Sequence, residues 1–127
     1  MRLLPTLFLS LTTLVALAQQ APKRNMTPQE AVALLKTQPA VVVLDVRTPG
    51  EFQSGHLTNA VNIDFRSPDF ARQLARLDKS KTYLVHCAVG GRSTRSLPKL
   101  DSLGIKNVIH LDGGMDAWQK ASLPVVK

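Results

Sequence analysis

Short apolar runs alternate with amphipathic segments along most of the chain. Runs rich in Val, Leu and Ile span residues 40–46, 60–63, 82–86 and 107–111, a composition typical of strands covered on both faces of a sheet. The segments between them carry apolar residues three or four positions apart, which predicts helices. This alternation predicts an α/β fold of one domain, with a parallel sheet and right-handed crossovers.

Helix boundaries can be predicted from the polar residues that flank the apolar runs. Thr27–Glu30 and Thr48–Glu51 each have the layout of a capping box with Pro at the first helical position. The first helix is predicted to end at Gln38-Pro39 and the second at Gly55. A third helix should begin at Ser67-Pro68-Asp69, and a fourth should span residues 92–103. A last helix carries Trp118, which is expected to pack into the core. Pro98 falls inside the fourth helix and predicts a kinked or shortened helix there.

The first 18 residues have the layout of a secretory signal peptide. Arg2 provides a positive start, residues 3–18 carry no charge, and Ala16-Leu17-Ala18 is a small-x-small cleavage site. We expect cleavage after Ala18, a short polar lead over residues 19–26 and a domain over residues 27–127. The protein is then periplasmic or secreted. The uncharged run is shorter than the ~20 residues that span a bilayer, so we expect no stable membrane insertion after cleavage.

Charge and cysteine content narrow the classes of function. Sixteen Lys and Arg residues against nine Asp and Glu give a net charge of +7, which favours anionic partners. The basic residues are spread along the predicted helices, so nucleic acid is not an expected partner. One cysteine excludes an intramolecular disulfide and a multi-cysteine zinc site. The three histidines have no metal-ligand spacing, and we predict neither a metal nor a cofactor.

Cys87 is the candidate nucleophile because it comes directly after the strand predicted at residues 82–86. Open α/β sheets bind ligands at the carboxyl ends of their strands. The Gly90-Gly91 turn would let the backbone N–H groups of residues 88–93 curl towards the sulfur, and Arg92 adds a charge at the start of the next helix. All these features favour thiolate over thiol. The alternative is a buried, inert cysteine, for which such an anion cradle has no use.

These residues resemble the active-site loop of the rhodanese-like sulfurtransferases, whose pattern is Cys-x-x-Gly-x-Arg-Ser. In this chain the loop is Cys87, Ala88, Val89, Gly90, Gly91, Arg92 and Ser93. Two other stretches resemble the same family in the same order, residues 44–62 and residues 111–118. The resemblance implies a five-stranded, mostly parallel sheet with helices on both faces. It also implies that Cys87 carries a persulfide held by the loop and by Arg92.

Other candidate residues have supporting roles. Asp45 is expected to contact and support the loop, Arg47 to pair with Glu51, and Arg95 to recruit an anionic donor or to lie on a solvated helix face. His86 precedes Cys87, but adjacent strand residues point to opposite faces, so we expect no direct Cys-His dyad. His56 is expected to be a structural hydrogen-bonding residue.

The predicted function is sulfur transfer from a small anionic donor such as thiosulfate to cyanide or a thiol, with a thioredoxin-like protein as one possible thiol partner. Two alternatives remain open. One is a non-catalytic module that binds a partner or carries sulfur. The other is a cysteine phosphatase, because some phosphatases share this scaffold. Those enzymes place Arg six positions after the nucleophile, whereas Arg92 comes five positions after Cys87, which gives a smaller ring of N–H groups.

Overall fold

The computed structural model describes residues 25–127, in which five strands alternate with five helices. In chain order these are β1 (Asn25–Met26), α1 (Pro28–Thr37), β2 (Val42–Asp45), α2 (Pro49–Ser54), β3 (Val61–Asn62), α3 (Phe70–Ala75), β4 (Tyr83–His86), α4 (Gly91–Ser102), β5 (Val108–Leu111) and α5 (Gly114–Lys120). Thr27 and Thr48 cap α1 and α2 through their side chains, as the sequence predicts.

The strands form one parallel sheet in the order β1-β5-β4-β2-β3. This confirms the α/β class and the five-stranded sheet. β4 lies at the centre, with Leu44 of β2 opposite Val85 and Ile109 of β5 opposite Leu84. The carboxyl ends of β2, β4 and β5 therefore lie at the same end of the sheet, and Asp45, Cys87 and His110 lie at or next to these strand ends.

Two apolar clusters cover the two faces of the sheet. Alternating strand residues pack with α3 and α4 on one face, including Leu44 and Val85 against Leu74 and Leu100. The intervening strand residues pack with α1 and α5 on the other face, where Trp118 is buried, as predicted. Helices on both faces explain why the strands are apolar throughout rather than alternating.

The structure corrects the expected shortening at Pro98, because α4 continues through this residue to Ser102. The proline ring removes the N–H that would bond to the carbonyl of Thr94. Thr94 is exposed, so water can satisfy that carbonyl on the outer side of the helix.

The structure covers only the last two residues of the predicted amino-terminal segments. Asn25 and Met26, placed by the sequence in the polar lead, form the edge strand β1 beside β5. The predicted signal peptide and the rest of the lead lie outside the described residues. Within residues 25–127, no helix combines the length and the apolar character needed to cross a membrane.

Candidate active site

Cys87 lies at the carboxyl end of β4, in a loop that folds back over its own sulfur. The residue is 1% exposed. The backbone N–H of Gly90 donates to Cys87 Sγ at 3.1 Å, and the hydroxyl of Ser93 donates to the same atom at 3.3 Å. The sulfur is therefore surrounded by hydrogen-bond donors, as the sequence predicts for a thiolate site.

The turn that brings these donors to the sulfur depends on glycine. Gly90 has φ 141°, in a region that residues with a Cβ adopt at a cost. α4 begins at Gly91, directly after this turn, so its first residues lie beside the sulfur. Ser93 is in the first turn of α4 and is fully buried.

The loop lowers the pKa of the Cys87 thiol. Burial by itself raises that pKa, but the hydroxyl of Ser93 and the amides of Ser93, Val89 and Gly90 outweigh it, and the net pKa lies below the ordinary value. The charged form is thus favoured by hydrogen bonds rather than by exposure to water. Such a thiolate is a nucleophile.

The amino terminus of α5 holds the loop from behind. The N–H of Met115 donates to the carbonyl of Cys87, and that of Asp116 to the carbonyl of Ala88, each at 2.9 Å. This approach requires Gly114, where a Cβ would lie 2.8 Å from the Ala88 oxygen and closer still to the Cys87 oxygen. The sequence analysis assigned no site role to Gly114, although the Gly113-Gly114 pair is the signal that could have shown it.

Arg92 departs from its expected position. Both of its terminal nitrogens bind the carboxylate of Glu51, Nη1 at 2.7 Å and Nη2 at 3.0 Å, instead of contacting the sulfur. This bidentate pair lowers the pKa of Glu51 to about 2, because the hydrogen bond from Arg92 stabilises the carboxylate. The same bond raises the pKa of Arg92, with a smaller contribution from the charge of Cys87. Arg92 therefore acts on Cys87 through the electrostatic field and joins α4 to α2.

The predicted pairing of Arg47 with Glu51 is wrong. Arg47 binds Asp45 through Nε at 3.0 Å and Nη2 at 2.7 Å, and Nη2 also donates to the carbonyl of Gly55. Glu51 is bound by Arg92 instead, and the partner of Arg47 is the buried carboxylate of Asp45. Asp45 therefore makes no direct contact with the loop after β4. It stabilises the end of β2.

His86 contacts the backbone of Cys87 rather than its thiol. Its Nδ1 donates to the carbonyl of Cys87 at 3.0 Å, so there is no direct dyad. Within the described residues, the buried Nε2 has no hydrogen-bond partner and lies 3.6 Å from Asp45 Oδ2. Burial lowers the pKa of His86. His56, stacked on Phe52 and bonded to its carbonyl, has the structural position expected for it.

His110 is a site residue that the sequence analysis missed. It lies next to last in β5, with Nε2 2.6 Å from the hydroxyl of Ser93. The ring of His110 packs under the loop. A Cβ atom added to Gly90 would lie 3.8 Å from Cε1 of this ring. Burial lowers the pKa of His110, and Asp112 opposes this shift. The sequence offered one signal for this role: a histidine near the end of β5, the strand that pairs with β4.

The outer rim of the loop is exposed and basic. Val89 is 68% exposed at the tip of the loop. Arg95, one turn along α4, is exposed and donates from Nε to the carbonyl of Gly91 at 3.3 Å, while its guanidinium lies 5.3 Å from the ring centre of Phe65. These contacts keep a positive charge beside the loop, where an anion would approach. Among residues 25–127, no group of His, Cys, Asp and Glu side chains is arranged to hold a metal.

Comparison with known proteins identifies the family of this domain. The family model of the rhodanese-like domain matches residues 27–121. The chain belongs to the rhodanese-like domain family. A solved structure with this fold is the rhodanese-related protein from Thermoplasma volcanium, with TM-score 0.72 and 32% identity over 81% of this chain and 97% of that one.

Two curated relatives place this rhodanese-like domain in proteins of different length. Uncharacterized protein slr1261 from Synechocystis sp. is 38% identical over 73% of this chain, and the match spans 51% of that protein. Thiosulfate sulfurtransferase 16, chloroplastic, from Arabidopsis thaliana is 36% identical over 64% of this chain and 76% of its own length. The chain thus matches only about half the length of the first relative and most of the second.

Proposed function

We propose that this rhodanese-like protein is a sulfurtransferase that moves a sulfane sulfur through a persulfide on Cys87. The observation that carries the proposal is the arrangement of donors around one sulfur, with the Gly90 amide at 3.1 Å and the Ser93 hydroxyl at 3.3 Å. The relative from Arabidopsis is named a thiosulfate sulfurtransferase, which supports the same chemistry here.

In the first step, the Cys87 thiolate attacks the outer sulfur of thiosulfate. A new S–S bond forms to Cys87, the S–S bond of thiosulfate breaks, and sulfite leaves with the electron pair. The product is a Cys87 persulfide anion, which the loop amides stabilise as they stabilise the thiolate. The added S–S bond moves the reactive sulfur about 2 Å from the buried position of the thiol.

In the second step, a nucleophile attacks the terminal sulfur of the persulfide. The S–S bond to Cys87 breaks, the terminal sulfur leaves on the acceptor, and Cys87 returns as a thiolate. Cyanide serves as the acceptor in an assay, and a thiol, such as that of a thioredoxin-like protein, serves in the cell. Covalent catalysis in two half-reactions should give ping-pong kinetics.

The basic rim supports an anionic donor. Arg95 is held beside the loop by Phe65 and by the carbonyl of Gly91, and its own charge is directed to solvent. We propose that it attracts the sulfonate end of thiosulfate. Arg92 is bound to Glu51 and contributes to the positive field at the sulfur without contacting the donor.

The same geometry argues against a phosphatase. A phosphate site needs an arginine free to bind two oxygens in bidentate fashion. Arg92 is the arginine of the loop, and its guanidinium is bound through both terminal nitrogens to Glu51 instead of contacting the sulfur, where a phosphate would have to lie. The prediction is negligible hydrolysis of an aryl phosphate beside sulfur transfer. Faster hydrolysis than sulfur transfer would reverse the assignment.

The decisive experiment is intact-mass spectrometry of the purified protein after incubation with thiosulfate. We expect the mass of one added sulfur, lost again when cyanide or a thiol is supplied. Because the chain has one cysteine, no second thiol can carry the sulfur. An unchanged mass in the wild type, or the same gain in Cys87→Ser, would contradict the proposal. An unchanged mass in the wild type would leave the non-catalytic binding module as the better interpretation.

We also propose export of the protein to the periplasm or outside the cell, from residues 1–18 alone. The expected mature chain begins at Gln19. The intact mass of protein taken from its native cells should correspond to a chain without the first eighteen residues. A full-length cytoplasmic species would contradict export without affecting the proposed chemistry.

A further inference from the structure

The hydroxyl of Ser93 lies between the sulfur of Cys87 and the imidazole of His110. Its Oγ is 3.3 Å from Cys87 Sγ and 2.6 Å from His110 Nε2. The carbonyl of Gly90, at 3.2 Å, is a third neighbour of the same atom. A hydroxyl has one proton, so it can donate to only one of these groups at a time. The shortest of the three distances is the one to His110, which is the strongest hydrogen bond by geometry.

We propose that His110 is a positioning residue that accepts the proton of the Cys87 thiol through the hydroxyl of Ser93. The inference rests on the nucleophilic role of Cys87 in the proposed function. It adds the route by which the buried thiol becomes a thiolate. Ser93 contacts the reacting sulfur, and His110 acts through Ser93.

The proton transfer balances within three side chains. The S–H bond of Cys87 breaks as an O–H bond forms on Ser93, and the original O–H bond of Ser93 breaks as an N–H bond forms at His110 Nε2. The products are a thiolate and an imidazolium, with Ser93 again a hydroxyl. In the product, Nε2–H donates to Ser93 and the Ser93 hydroxyl donates to the sulfur. The same short contacts serve both states.

The burial of the three groups favours this route. Cys87 is 1% exposed, Ser93 0% and His110 8%, so bulk water has little access to the thiol proton. Burial lowers the pKa of His110, so that beside an uncharged thiol the ring is neutral and has a lone pair free to accept the thiol proton. Formation of the adjacent thiolate then favours the imidazolium electrostatically.

Charged groups on the surrounding elements act on the pair from several sides. Asp112, after β5, lies 3.9 Å from His110 Nδ1 and favours the imidazolium. Arg92, on α4, favours the thiolate through its charge. His86, on β4, interacts electrostatically with His110, but its pKa is lowered by burial and it stays neutral. Asp45 and Arg47, at the end of β2, form their own ion pair.

The test is the pH dependence of Cys87 alkylation by iodoacetamide, which needs no sulfur donor. One cysteine in the chain means that the rate reports Cys87 alone. In the wild type, the thiolate–imidazolium pair should keep the rate high down to about pH 6. In His110→Gln and in Ser93→Ala, we expect at least a roughly tenfold lower rate at about pH 6, the loss that one pKa unit produces. The His110→Gln rate should converge on that of the wild type once alkali ionises the thiol.

Two comparisons separate a proton relay from a merely structural role. The double variant Ser93→Ala/His110→Gln should be no slower than the slower single variant at about pH 6, because both changes interrupt one relay. Ser96→Ala is the matched control. Ser96 is also a fully buried serine of α4, but its hydroxyl donates to the carbonyl of Arg92 rather than to Cys87 or His110, and the pH profile should not change. Circular dichroism and thermal unfolding should confirm that each variant is folded.

The ultraviolet absorbance of the thiolate, followed against pH, provides a second readout that does not depend on access of the reagent. We expect its midpoint to rise by about one pH unit in His110→Gln. The proposal is overturned if His110→Gln slows alkylation equally at every pH, leaves the thiolate midpoint unchanged, or adds its effect to that of Ser93→Ala. A wild type that shows the relay but gains no sulfur from thiosulfate would contradict the proposed function and leave the relay standing.

Discussion

The ends of β2 and β4 lie side by side at the same edge of the sheet. A negatively charged group at each end is stabilised by different partners. At the end of β2, the carboxylate of Asp45 is bound by the guanidinium of Arg47 and by its backbone N–H. At the end of β4, the sulfur of Cys87 accepts hydrogen bonds from an amide and a hydroxyl, and no cation of residues 25–127 binds it directly. The nearest loop arginine, Arg92, is bound to Glu51.

We infer that this difference separates a structural site from a reactive one. An anion bound by a buried cation is neutralised and stays where it is. An anion held only by dipoles keeps its nucleophilic electron pair while its pKa is lowered. The pairing of Arg92 with Glu51 holds the guanidinium away from the sulfur, so that no cation binds the electron pair of the nucleophile directly.

The largest expected effect is the complete loss of sulfur transfer in Cys87→Ser. Serine has nearly the same shape, but its hydroxyl stays protonated at neutral pH and cannot form the persulfide. Activity in the thiosulfate–cyanide assay should fall to background while the unfolding temperature stays close to that of the wild type. Persistent activity would show that the reactive group is not at the end of β4.

The opposite result is expected at the end of β2. Asp45→Asn removes the charge partner of buried Arg47 and should destabilise the fold by about 3–5 kcal/mol. Denaturant unfolding at neutral pH measures this free energy, and the protein that remains folded should still gain a sulfur from thiosulfate. Full stability with lost sulfur transfer would reverse the roles assigned to the two strand ends.

A third prediction tests the support of the reactive loop by α5. Gly114→Ala places a Cβ against the carbonyls of Cys87 and Ala88 and needs a left-handed backbone at φ 58°. We expect a loss of about 1–3 kcal/mol in stability and a larger proportional loss in sulfur transfer, because the loop must shift.

The matched control for that change is Gly50→Ala, in α2, where an added Cβ meets nothing within 4 Å. This substitution should leave sulfur transfer unchanged and alter stability by less than about 1 kcal/mol. Equal effects of the two substitutions would mean that the close approach of α5 does not hold the loop.

The smallest expected effect concerns Glu51→Gln, which leaves Arg92 without its carboxylate. The pKa of Glu51 is lowered to about 2 by the hydrogen bond from Arg92, so the stabilisation is fully present above the ordinary value of 4.5 and is lost as the pH falls through about 2. The carboxylate is partly exposed, and we expect a loss of about 1 kcal/mol at neutral pH.

Unfolding curves of the wild type and Glu51→Gln should therefore differ at neutral pH and converge between about pH 4 and pH 2. A difference that stays constant with pH would mean that the carboxylate charge contributes nothing to the link between α2 and α4.

The local features of this protein could be predicted from neighbouring residues. The caps at Thr27 and Thr48 join groups three positions apart, and a strand followed by Cys87 and two glycines already predicts a loop of hydrogen-bond donors around the sulfur. The two-residue strand β1 could not be predicted in this way, because two residues show no periodicity and form a strand only by pairing with β5.

Contacts between distant segments were decided by the tertiary structure. Arg92 meets Glu51 across 41 positions, and Ser93 meets His110 across 17. The spacing of four positions predicted an ion pair between Arg47 and Glu51. In the folded protein, Arg47 pairs with the buried Asp45, and Glu51 pairs with Arg92. An ion pair forms where burial and geometry bring the charges together, and only the packed sheet and helices set those distances.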